Sequence, residues 1–121
     1  MSYDPGNIFA RLLRGEIPSQ KVYEDEHVLA FNDIRPAAPV HVLVIPKGAY
    51  ESLDDFSTQA SPAEQAALMK AIGHVARLTG VDKSGYRVIA NNGANGHQEV
   101  PHLHFHVLGG RPLGRMLSRT E

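Results

Sequence analysis

The sequence predicts an α+β domain: a five-stranded antiparallel sheet carrying two helices, in one domain spanning residues 1–121. Three observations predict it. Five short apolar or β-branched runs are separated by turn-forming residues. The first four of these arise without a helix between every pair. Near the C-terminal end, histidine alternates strictly with apolar residues, which is the two-residue period of a strand.

Each element has local reasons. Ile8, Phe9, Leu12 and Leu13 recur at helical spacing, Asn7 is placed to cap the start, and Gly15 with Pro18 ends the run. Lys21–Glu24 and Val28–Asn32 flank Asp25-Glu26-His27, as the arms of a hairpin would. Residues 33–39 (DIRPAAP) break regular structure, because each proline lacks a backbone donor and restricts its predecessor. Residues 40–45 (VHVLVI), closed by Pro46, read as a central strand. The clearest helix begins at Ser61, where Ser61-Pro62-Ala63-Glu64 is a capping-box pattern with proline at the first helical position. Leu68, Ile72, Val75 and Ala76 form its apolar face, and Gly80 terminates it. Residues 86–90 (YRVIA) make a fourth strand and residues 91–99 a tight polar loop. Residues 102–108 make the fifth strand, ended by Gly109-Gly110.

Composition narrows the function. At 42% hydrophobic and 21% charged residues, the chain is an ordinary globular one. A formal charge of −1 excludes the basic surface that nucleic-acid binding needs. A mononucleotide remains open, since one phosphate can be met by backbone N–H groups and a few side chains. The lack of cysteine excludes disulfides, a thiolate nucleophile and a cysteine-based zinc site. No run of ~18 apolar residues spans a membrane. The opening MSYDPGNIFARLL lacks a charged start followed by an apolar segment of secretory length. The expectation is a soluble, cytoplasmic protein without nucleic-acid or membrane partners.

Residues 102–107 read HLHFHV, and three of the seven histidines sit in this alternation. On a strand His102, His104 and His106 share one face, with successive side chains roughly 6.5–7 Å apart. A polar surface strand would explain one histidine better than three. A metal site is a second reading, since imidazole is a common ligand. The outer two histidines lie roughly 13 Å apart along a strand, so a metal with ~2 Å bonds would need ligands from elsewhere. His41 and Glu99 are the candidates. The third reading is nucleophilic catalysis: a neutral imidazole attacks phosphorus while its other ring nitrogen is held as a donor. His104, with a histidine on either side, is the natural nucleophile.

These alternating histidines resemble the signature of the histidine triad (HIT) family. The segment IFARLLRGEIPSQKVYEDEHVLAFNDIRPAAPVHVLVIPK resembles the opening of its nucleotide-binding Hint branch, in its bacterial form. NNGANGHQEVPHLHFHVLGGRPLG resembles the close of that branch. The resemblance implies a HIT-like fold in which two five-stranded sheets join across a homodimer. It implies a purine nucleotide substrate of AMP or GMP type, and hydrolysis at the α-phosphorus of nucleoside 5′-phosphoramidates. His104 falls at the nucleophile and His106 at the phosphate and leaving-group position. His102 falls at the supporting histidine, with His41 backing it from a neighbouring strand. Asp33 and Ile34 match the ribose and base contacts, with Ile8, Phe9, Leu12 and Phe31 as apolar lining. Asn91 and the segment His97, Gln98, Glu99 match the phosphate-side loop.

Two departures bear on specificity. Glu99 stands where some members have serine, and a carboxylate there disfavours anionic leaving groups by charge repulsion. The tail GRPLGRMLSRTE has no tryptophan of the kind that reaches the partner's site in some members. Together with the histidine alternation, the resemblance thus implies a purine nucleoside phosphoramidate hydrolase working through a nucleotidyl-histidine, with no cofactor and no metal. The alternatives are a dinucleoside polyphosphate hydrolase and a non-catalytic nucleotide-sensing module.

Overall fold

The computed structural model describes residues 3–117, so the first two residues of the opening and residues 118–121 of the tail lie outside the described residues. Helix α1 (Ile8–Leu13) starts where the Asn7 side chain accepts from the Phe9 and Ala10 N–H groups at 3.0 and 2.9 Å. Strands β1 (Lys21–Glu24), β2 (Val28–Asn32) and β3 (Val40–Pro46) follow. Helices α2 (Leu53–Gln59), α3 (Pro62–Thr79) and α4 (Val81–Ser84) lead to β4 (Tyr86–Ile89) and β5 (Phe105–Gly109). All strand pairs are antiparallel, in the order β1-β2-β3-β5-β4.

Both faces of the sheet are covered, which is why residues 28–31 of β2 and 42–45 of β3 are apolar on both sides rather than alternating. Val28, Ala30, Val42, Val44 and Val107 pack with Leu68, Ile72 and Val75 of α3. Leu29, Phe31, Leu43 and Ile45 point the other way and pack with Phe9 of α1. The Ser61 hydroxyl accepts from Glu64 N–H, and Gly80 closes α3 at φ 81°, a left-handed value that costs glycine little. At the end of β5, a Cβ on Gly109 would lie 2.7 Å from Val81 Cγ1, so α4 can seat only against glycine.

The five-stranded antiparallel sheet agrees with expectation, but the helix count does not. Four helices are present among the described residues, α2 and α4 being the additions. Helix α2 starts at Ser52, whose N–H donates to Asp55 Oδ1 at 2.7 Å. It is a capping box with Asp in place of the usual Glu or Gln. A single turn, α4, follows directly on the glycine that ends α3.

Candidate active site

The fifth strand is shorter than expected, beginning at Phe105 rather than residue 102. Only His106 lies on the ladder; His102 and His104 precede it. Pro46, at the end of β3, has no N–H with which to extend the pairing. Its carbonyl instead accepts from His102 Nε2 at 2.8 Å, and the Leu103 N–H donates to the Tyr50 carbonyl at 2.8 Å. The alternation survives this change. Leu103 and Val107 are buried in the core against α3, and Phe105 packs on it. The histidine rings gather on the α1 side, His104 5.2 Å from His106 and 5.0 Å from Phe9 between centroids.

Backbone groups fix the tautomer of each ring, since a carbonyl only accepts and an N–H only donates. His102 Nε2 carries its proton toward Pro46 O, leaving Nδ1 as acceptor for the Tyr3 hydroxyl. His104 Nδ1 carries its proton toward the His102 carbonyl at 2.7 Å, so the Nε2 lone pair is unencumbered. Among the described residues no buried side-chain nitrogen lacks a partner, so the unpaired His104 Nε2 is open to solvent. The Ala37 N–H donates to His41 Nδ1 at 3.0 Å, so His41 Nε2 carries a proton and gives it to His106 Nδ1 at 2.9 Å. His106 therefore presents Nε2–H outward.

This last bond corrects the role expected of His41: it backs His106, not His102. Register explains the exchange. His41 faces Leu108 and Leu43 faces His106, so His41 and His106 are diagonal neighbours on the same face. His102 lies beyond the ladder, out of His41's reach.

Burial pushes His41, His102 and His104 below the ordinary imidazole range. Bonds to backbone carbonyls partly offset this for His102 and His104. His106 is lowered to about 4, first by burial and then by the neighbouring His104 and His41. The neutral form of all four rings is thereby favoured.

Phe9, whose ring packs on His104, also lines a cavity of about 230 Å³ together with Ile8, Leu12, Phe31, Asp33 and Ile34 among others. The structure thus brings together the six residues expected to meet base and ribose. Ile34 is 89% exposed and forms the rim. Asp33 Oδ1 accepts from the Arg35 N–H at 2.8 Å, and Oδ2 lies 3.4 Å from His41 Nε2. Larger clefts exist, including one of about 580 Å³ at the β4 edge, but none of the expected site residues lines it.

The residues of the loop expected on the phosphate side differ in what they touch. Gln98 is turned into the loop: its Oε1 accepts from Gly93 N–H at 2.9 Å and its Nε2 donates to the Glu51 and Val100 carbonyls. His97 is exposed with φ 59°, the one left-handed non-glycine residue among those described. Glu99 is exposed and its charge acts on His104 and His106. Asn91 is half-buried at the start of the loop, and it is Asn92 whose side chain accepts from the Leu53 N–H at 2.8 Å. Asn92, Tyr3 and the Pro46 carbonyl were not foreseen, since no sequence pattern marks a distant carbonyl or a terminal tyrosine as a partner. The groups best placed to hold a metal ion are Asp33, His41 and His106, with ligand atoms within 4.8 Å of one another. Asp33 takes the place expected of Glu99, and hydrogen bonding already accounts for the cluster.

Comparison with known proteins agrees with this architecture. The model of the HIT domain family matches residues 14–113. An uncharacterized HIT-like protein of Azospirillum brasilense is 58% identical over 118 residues, covering 98% of this chain and 97% of its own. Purine nucleoside phosphoramidase of Escherichia coli K12 is 43% identical over 111 residues, 92% of each chain. Among solved structures, a HIT family hydrolase from Clostridium thermocellum superposes with a TM-score of 0.86 at 40% identity, covering 93% of this chain and 97% of that one. A histidine triad protein from Clostridium difficile gives 0.80 at 46%, covering 91% and 95%.

Proposed function

Because this chain belongs to the HIT domain family, we propose that it hydrolyses purine nucleoside 5′-phosphoramidates to nucleoside monophosphates, with His104 as the nucleophile. The observation that carries the reading is the bond from His104 Nδ1 to the His102 carbonyl, which leaves the Nε2 lone pair free on a ring packed against Phe9, a wall of the apolar cavity. The name of the Escherichia coli relative supplies the substrate class.

In this reading the purine enters the cavity against Phe9 and Phe31, and the ribose meets Asp33. His104 Nε2 attacks the α-phosphorus as the bond to the amine breaks, giving a nucleotidyl-histidine. The Nδ1–H stays on the His102 carbonyl, where the dipole offsets the charge that the ring acquires. His106 Nε2–H donates to a phosphoryl oxygen or the departing nitrogen. Asn91, His97 and Glu99 border the phosphate side, with Gln98 holding their loop. The amine leaves with the His106 Nε2 proton; water then attacks the same phosphorus, returns a proton to His106 as the P–N bond to His104 breaks, and the monophosphate leaves. The working form is taken to be a cytoplasmic homodimer.

Turnover of an adenosine phosphoramidate beside a diadenosine polyphosphate tests this, with rapid quench to trap labelled protein. Faster phosphoramidate cleavage and label on His104 are expected. Faster polyphosphate cleavage would assign the other substrate class, and bound nucleotide without turnover would make the protein a sensing module.

A further inference from the structure

Two hydrogen bonds consume both ring nitrogens of His102, the one histidine with no exposed surface. The Pro46 carbonyl fixes the proton on Nε2. The lone pair on Nδ1 is met by the hydroxyl of Tyr3, 99 residues away in sequence. The Tyr3 ring also packs edge-on against the imidazole, 5.6 Å between centroids at 72°.

The segment that carries Tyr3 is anchored rather than draped. The Asp4 carbonyl accepts from Asn7 Nδ2 at 2.7 Å, and the same Asn7 side chain caps α1. The Pro5 carbonyl accepts from Arg14 Nη1 at 2.8 Å at the other end of that helix. Tyr3 does not line the cavity, and its hydroxyl also neighbours the side chain of Asn7, which caps α1.

We propose that Tyr3 is a positioning residue: its hydroxyl holds buried His102 in one ring orientation and tautomer, and so places the carbonyl that grips the nucleophile His104. The inference rests on His104 being the nucleophile. Without the hydroxyl, His102 Nδ1 is a buried acceptor with no donor, which the ring can relieve only by shifting or changing tautomer. Either moves the His102 carbonyl relative to His104 Nδ1.

The test is Tyr3→Phe, which keeps the ring and removes one oxygen. The imidazole ¹⁵N resonances, phosphoramidate kcat and AMP affinity of the full-length protein are compared with wild type. The His102 Nδ1 resonance should move toward the free, non-hydrogen-bonded value. kcat should fall by roughly three- to thirtyfold, the range of one lost hydrogen bond to a buried group. AMP affinity should stay within about twofold, since Tyr3 is outside the cavity. An unmoved Nδ1 resonance overturns the proposal, as does an unchanged kcat. A parallel loss of kcat and AMP affinity overturns it too, because that is general loosening. If wild type does not turn over phosphoramidates, the functional reading fails by itself and the Nδ1 resonance alone decides whether Tyr3 holds His102.

Discussion

His104 Nδ1 lies 2.7 Å from the carbonyl of His102, so the backbone of one histidine sets the protonation of the next. The nitrogen of His104 that keeps its lone pair, and that the proposed reaction uses, is therefore defined by the fold itself. His104→Ala removes the covalent route itself, and kcat should fall by several orders of magnitude. Monophosphate affinity by calorimetry should remain within about tenfold, because the cavity is intact. A variant retaining a tenth of wild-type turnover would exclude His104 as nucleophile.

Asp33 tests recognition separately from chemistry. Asp33→Asn keeps an oxygen for the Arg35 N–H but removes the charge. Loss of a charged hydrogen-bond acceptor costs about 1.5–3 kcal/mol, so AMP affinity should weaken roughly ten- to hundredfold. Pyrophosphate affinity should hardly change. Equal weakening of both would remove the ribose assignment.

The depressed pKa of His106 makes stability depend on pH. Its ring titrates at about 4 in the fold, against roughly 6.5 in an unfolded chain. Between these values the unfolded state binds a proton that the native state does not, so stability rises with pH from about 4 to 6.5 and then levels off. The lowered His41, His102 and His104 act in the same direction. Urea midpoints should drop between pH 7 and pH 5, and His106→Asn should show a shallower drop. An equally steep drop in that variant would contradict the assignment.

The edge of β4 makes an assembly prediction. Tyr86 and Val88 on this outer strand are 42% and 41% exposed, on an edge with unpaired backbone groups. Light scattering should give twice the mass of one chain. A monomer at micromolar concentration would refute the homodimer.

Periodicity made the sheet legible in the sequence, because alternation and apolar runs report which faces are covered. The same rule placed all three triad histidines on one side even though two of them leave the ladder. What alternation does not report is where pairing stops: that depended on Pro46 opposite the strand. Nor does it report register: the family resemblance put His41 behind His102, whereas Leu43 lies opposite His106 and seats His41 beside that ring. Helix α2 was missed because its start uses Asp55 where a longer acid usually stands. The cavity residues came from the family resemblance, since Ile8 or Phe31 alone reads equally well as core.

In the proposed reaction His106 separates leaving groups. It presents Nε2–H outward because His41 holds its Nδ1, and in that reaction this is the proton that a departing amine or a phosphoryl oxygen would meet. An amine leaves poorly without a proton, whereas an activated phenolate leaves without help. His106→Ala should therefore reduce kcat/KM strongly for alkyl phosphoramidates and little for an aryl ester with a good leaving group. His41→Ala should repeat the pattern more weakly, because it leaves the His106 ring present but free to adopt the other tautomer. Chelation with EDTA should change neither series, since protein groups alone set these protons. Activity lost to EDTA and restored by zinc would instead assign Asp33, His41 and His106 as metal ligands. An equal loss for both leaving-group classes in His106→Ala would place the ring on phosphate binding rather than on departure.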